Sequence, residues 1–379
     1  MPLNFLSLRS KIYKIKGPGL KKTHYLSIVA VTLFLNACTS IGPRTIPRDR
    51  FDYNTAISDS WKDQTLLNIV KIRYADMPLF VEVASIVSGY TLESSVNLGA
   101  VHVGSGNSVA GNELFSLGTS GKFSDRPTIT YTPITGQNFN KSFMTPIPPR
   151  VILFLMQSGW SADLIFPLTV SSINGLKSQM AAGVNQREGD DGFYRVITLL
   201  RDIQKSGAVG MRLLKKGKGQ ESTVMFFHDK NISDELKLKL KELNTLLGLD
   251  IGTRSIKVSY GSVSRGKQEV AMLTQSLLQI MITMATQIDV PEQHVKDGRT
   301  MPSRSMIDKN GNNRKLIKIK HSAEKPENAF TTVKYRDTWF WIDDRDFKSK
   351  RTFAFLMIIF SLTETGAKEG LPLVTIPAG

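Results

Sequence analysis

The sequence holds a single cysteine, Cys38, in 379 residues. A disulfide within the chain is therefore excluded, and the core must be held by packing alone. Thiol catalysis has no residue beyond Cys38 to draw on. Histidine is scarce as well: His24, His102, His228, His294 and His321. None stands near another His or Cys at ligand spacing, whereas a zinc site needs about four clustered ligands, so no metal site and no cofactor are expected. There is no G-x-S-x-G elbow and no Walker loop. Gly104–Gly111 is glycine-rich but lacks the spacing of a dinucleotide fingerprint. The apolar runs are short: 11 residues at Tyr25–Leu35 and ten at Phe353–Leu362, against about 20 for a spanning helix. No internal repeat is evident.

The first 37 residues lack acids altogether. They carry Arg9, Lys11, Lys14, Lys16, Lys21 and Lys22, so the formal net charge of +16 falls to +10 from Cys38 on. A basic start, an apolar stretch of roughly 7–15 residues and a small residue before a cleavage point describe a secretory signal. Leu35-Asn36-Ala37-Cys38 resembles the lipobox of bacterial lipoproteins, with Asn36 and the long basic start as departures. The resemblance implies that 1–37 is a signal peptide and that Cys38 is lipidated, with two or three acyl chains such as palmitate. Two chains give stable anchoring where one is marginal. By analogy with enterobacterial sorting, Thr39, which is not Asp, directs the protein to the outer membrane facing the periplasm.

Residues 38–50 contain Pro43 and Pro47 and little apolar content, and read as a tether. The remainder reads as α+β: antiparallel hairpins packed with several amphipathic helices and one buried C-terminal helix, in an N-terminal region 51–180 and a C-terminal region 190–379. The spacing predicts helices over 54–74, 193–204 and 268–288, and a helix capped by Ser233. A long hairpin is expected from 95 to 132 with its tip near 104–121, and others at 209–227 and 331–342. Residues 164–170 read as a strand near an edge because of Pro167. Phe353–Leu362 reads as the buried helix, and Leu371–Pro377 as a last strand.

Two charged features are candidates for function. The densest is Asp343-Asp344-Arg345-Asp346 with Lys348, Lys350 and Arg351, between an aromatic strand and the buried helix. A carboxylate pair in that turn would suit acid–base hydrolysis of cell-wall or envelope polysaccharide. The structural alternative is that Asp343 or Asp344 caps the helix, with Asp344 placed to neutralise Arg351. The other is the basic segment 296–320, with eight cations against Asp297 and Asp308. It lacks the interleaved aromatics of single-strand binders, so an anionic glycan or lipid suits it better than nucleic acid.

Arg73-Tyr-Ala-Asp-Met-Pro-Leu-Phe-Val-Glu-Val-Ala-Ser-Ile-Val-Ser-Gly-Tyr90, Thr145–Pro149, Ser172–Gly175, the Trp339–Phe353 block and Thr375–Gly379 together resemble a group of proteobacterial lipoproteins of the outer-membrane type. The resemblance implies a secreted, lipid-anchored unit in the cell envelope. It brings no activity, ligand or catalytic residue. The expectation is therefore a lipoprotein with a structural, assembly or binding role and no identifiable catalytic set, held at the membrane by its anchor, with an envelope protein or anionic glycan as partner.

Overall fold

The computed structural model describes residues 42–103, 112–179, 187–216, 220–227, 233–303 and 305–363. The expected signal peptide, Cys38, the start of the expected tether and the expected strand Leu371–Pro377 lie outside these residues. Helix α1 (Gly42–Arg73) begins within the stretch read as a tether: residues 42–50 are helical despite Pro47. The chain falls into two compact units, one drawn from Met1–Tyr53 with Tyr90–Arg126, the other from Asn54–Gly89 with Pro127–Gly379.

In the first unit, β2 (Tyr90–Val103) and β3 (Asn112–Asp125) form one long antiparallel hairpin in continuous register. The expected tip is thus narrower, because residues 112–121 are strand. Tyr90 stacks on Phe123 with ring centroids 6.0 Å apart. Its hydroxyl donates to Asp49, and the Arg48 guanidinium lies over its ring.

The second unit is the α+β body. Its first strand, β1 (Val81–Val87), pairs antiparallel with β4 (Thr128–Pro133), which is therefore not part of the long hairpin. After α2 (Gly136–Phe139) and a π turn at Asn140–Met144 come α3 (Pro149–Gln157) and α4 (Ala162–Thr169). Helix α4 corrects the strand expected at 164–170. Leu164, Ile165, Phe166 and Leu168 are all buried, so the segment shows no polar face by which period 3.6 could be told from period 2. Its strand is the next one, β5 (Val170–Ile173).

Six strands make the central sheet. They run β6 (Leu176–Lys177), β5, β10 (Glu269–Thr274), β9 (Ser255–Tyr260), β8 (Gln220–Phe227) and β7 (Val209–Lys216), all antiparallel except β9 with β10. Strands on either side of 180–190 thus share one sheet. Gly210 faces Phe226 across the β7–β8 ladder, where a Cβ would stand 2.5 Å from the ring. Helix α5 (Asp191–Lys205) packs its Phe193, Val196, Leu199, Leu200 and Ile203 inward, and Gly207 terminates it at φ +72°. Helix α6 (Asp234–Leu246) starts as expected: the Ser233 hydroxyl accepts from the Leu236 N–H at 3.3 Å.

The helix expected over 268–288 is instead strand β10 followed by α7 (Leu277–Ala285). Central β10 is buried along nearly its whole length, and its inner residues Val270–Leu273 form a continuous apolar run. The boundary carries a capping box: the Ser276 side chain accepts from the Gln279 N–H, and the Gln279 side chain accepts from the Ser276 N–H. A short α8 (Glu292–Lys296) precedes an irregular stretch. A three-stranded sheet then forms in the order β11 (Lys320–Ser322), β13 (Thr338–Asp343), β12 (Ala329–Tyr335). Arg336 and Asp337, at φ +48° and +63°, make the tight turn between β12 and β13. The last described helix, α9 (Phe347–Thr363), buries Phe353, Phe355, Leu356, Ile359 and Phe360.

Candidate functional site

Strand β13 delivers Asp343 to the turn that begins α9, and each carboxylate there has structural partners. Asp343 accepts from Lys320 Nζ at 2.9 Å and from the Arg345 backbone N–H at 3.0 Å. Lys320, led by that hydrogen bond, holds the Asp343 carboxyl below the usual range. Asp344 pairs with Lys350, whose ammonium reaches its side chain at 2.6 Å and its carbonyl at 3.0 Å. Asp346 accepts from the Ser349 N–H at 3.1 Å and the Ser349 hydroxyl at 2.8 Å.

That last geometry is a helix N-cap. Asp346, rather than Asp343 or Asp344, therefore caps α9. Partial burial opposes its charge, but the two Ser349 donors outweigh burial and hold its carboxyl below the usual range. Asp344 does not neutralise Arg351 either. The Arg351 guanidinium turns to Asp163 of α4, 3.9 Å away, while Lys350 takes Asp344. Arg345 contributes its backbone to the turn and its side chain is exposed.

The basic segment 296–320 and the start of α9 meet around a cleft of about 350 Å³. Its walls come from α4, the end of β6, α5, the 306–316 stretch and the first two turns of α9. Ligand clefts run from roughly 300 to 1,000 Å³. Arg314 stacks on Tyr194 at 3.7 Å from the ring centroid and is fixed by Asp308, which it contacts through two nitrogens at 2.8 Å. Lys315 pairs with Asp289 at 3.0 Å. Gly189 sits where a Cβ would stand 2.7 Å from the Tyr194 ring, so the bare backbone lets the ring close on it.

The other cations at the cleft are not balanced in this way. Arg351 has Asp163 at 3.9 Å, a carboxylate that Arg201, outside the lining, reaches at 3.4 Å. Lys348 donates to the Lys315 carbonyl at 2.9 Å and has no carboxylate partner among the described residues. Gln179 donates its amide to Met306 Sδ at 3.7 Å, and its Oε1 is buried without a hydrogen-bond partner. Phe347, 72% exposed, stands at the cleft edge.

Among the described residues no group of three or more His, Cys, Asp or Glu is placed to hold a metal ion. His294 is buried, 2.7 Å from the Tyr74 hydroxyl. Burial, then Arg299, pushes its pKa down, and burial pushes Tyr74 up to about 12. This pair ties the end of α1 to α8. No described helix is long and apolar enough to cross a membrane.

Sequence reasoning found Arg351 and the basic segment but not Asp163, Gln179 or Tyr194, which are separated from them by more than a hundred residues. Comparison with protein-family models, curated proteins and solved structures finds no match to this chain.

Proposed function

We propose that this protein is a lipid-anchored component of the bacterial cell envelope with a structural, assembly or binding role, carrying no catalytic set of its own. Its anchor is Cys38, at the end of Leu35-Asn36-Ala37-Cys38, and its place is the periplasmic side of the outer membrane. The observation that carries the non-catalytic part is the engagement of Asp343, Asp344 and Asp346. The first holds β11 and the turn, the second Lys350, and the third the first turn of α9. A helix cap and two ion pairs thus account for all three carboxylates.

The test is to label cells expressing the full chain with palmitate and recover the protein from membranes in mild detergent. Label on the wild type, none on Cys38→Ala, and co-recovery of a defined envelope component are expected. Unlabelled wild type, or labelled wild type that recovers nothing, contradicts the proposal.

A further inference from the structure

We propose that the hairpin of β2 and β3 pairs edge to edge with the same hairpin of further copies of this chain, closing a β-barrel pore through the outer membrane. The inference rests on the envelope reading above and names both the partner and what the partners build.

Successive residues of a strand alternate between its two faces, and the β2–β3 register sorts the hairpin into an apolar face and a polar one. Leu92, Val96 and Leu98 share one face with Phe115, Leu117 and Phe123; the positions among them are Ser94, Ala100, Thr119 and Gly121. That face carries no charge between its end pairs, Tyr90 with Asp125 and His102 with Glu113. Thr91, Ser95 and Asn97 share the other face with Ser116, Ser120 and Ser124. There Glu93 and Lys122 stand opposite each other, 3.9 Å apart, and the Ser95 and Ser120 hydroxyls meet at 2.6 Å. Val101, Val103 and Leu114 end the polar face towards the tip.

Barrels of the outer membrane show this pattern, apolar towards lipid, polar towards the lumen, with aromatic residues at the interfaces. The alternation runs over residues 90–100 and 115–125, about 11 in each strand, and a spanning strand needs about 9–11. At about 3.4 Å per residue and a tilt of about 40°, such strands rise about 26 Å, against an apolar band of about 25 Å. Tyr90 stacked on Phe123, itself 52% exposed, supplies an aromatic pair at one end of the band.

The edges name the partner. Among the described residues this sheet has two strands, so β2 and β3 each keep one edge with no neighbouring strand. Neither strand contains proline, a common device for blunting an edge. A hairpin alone is marginal in water, and lipid admits strands only in a closed barrel. Two free edges of equal length let each copy add to the next, and such a head-to-tail contact closes as a ring. A barrel with a water-filled channel takes about 16 strands, or about eight copies at two strands each. The small serines and glycines of the polar face leave that channel open.

The test uses the full chain purified from membranes in mild detergent. The wild type is expected to be a ring of about eight copies by light scattering and to give stepwise conductance across planar phosphatidylcholine bilayers. Val96→Arg, on the apolar face, is expected to make steps at least about tenfold rarer. Ser95→Arg, beside it on the polar face, keeps the steps and shifts selectivity towards anions. Single thiols read the same faces without adding charge, which covers a Val96→Arg chain that fails to fold. In a Cys38→Ala background, a charged, membrane-impermeant thiol reagent is expected to block Ser95→Cys and spare Val96→Cys. A monomer or dimer, an oligomer that does not conduct, or equal blocking of the two thiols overturns the proposal. So does an oligomer that stays soluble without detergent, because its apolar faces then cover one another instead of meeting lipid. Cys38→Ala alone is expected to conduct as the wild type does. Failed palmitate labelling therefore leaves the pore intact, and a failed pore leaves the labelling intact.

Discussion

The turn Asp343–Asp346 and the cleft beside it share the start of helix α9, yet they handle charge in opposite ways. In the turn three carboxylates meet Lys320, Lys350 and Ser349, and each has its partner within 2.6–3.1 Å. In the cleft Arg351 has only a carboxylate 3.9 Å away that it shares with Arg201 outside the lining, and Lys348 has only a backbone carbonyl. The turn is the denser cluster in sequence, and it is the satisfied one. Density of charge along a chain marks where ion pairs can form. A surplus left after pairing marks where something else can bind.

Both regions depend on α9 being in place, so its anchoring sets the largest effect. Phe353 is fully buried against Phe330 and the core. Phe353→Ala is expected to cost about 3–5 kcal/mol, measured by urea unfolding, and to impair turn and cleft together. A variant that unfolds at the wild-type urea midpoint would break the premise that they share a support.

Next in size is the cap. Asp346→Ala leaves the Ser349 donors without their acceptor and is expected to cost about 1 kcal/mol. Asp346→Asn keeps an equally good cap and should cost much less. This ordering sharpens the comparison, because an acid–base role for Asp346 demands that Asn fail as badly as Ala in any functional assay. Asp344→Asn removes an exposed pair with Lys350 and is expected to shift stability by about 0.5 kcal/mol or less.

The pH response has a defined sign. Asp343 and Asp346 are held below the ordinary carboxylate range in the folded chain. Their contribution is fully present above the unfolded carboxylate pKa and is lost as pH falls through the lowered folded values. Stability measured by thermal melting should therefore fall on acidification from about pH 5. Asp346→Ala should show a shallower fall, and an equal or steeper one contradicts the assignment.

Much of the fold is readable from residues with a local signature. Phe193, Val196, Leu200 and Ile203 mark α5, Ser233 marks the start of α6, and Arg336-Asp337 marks the turn of the last hairpin. The failures share a cause. Residues 164–169 and 269–274 are buried on all sides, so neither shows a polar face that reveals its period. Ser276 and Gln279 carried a readable capping box within the stretch expected as one long helix. The cleft was less accessible still. Asp163 with Arg351, and Tyr194 with Arg314, are partners only through tertiary folding, and neither spacing nor composition joins them.

The most direct measurement is the urea midpoint of two full-length variants at the Asp346 cap. Asp346→Asn should unfold close to the wild type and Asp346→Ala clearly below it. Equal losses in the two variants would contradict the account and return the turn to candidacy as a site of acid–base chemistry.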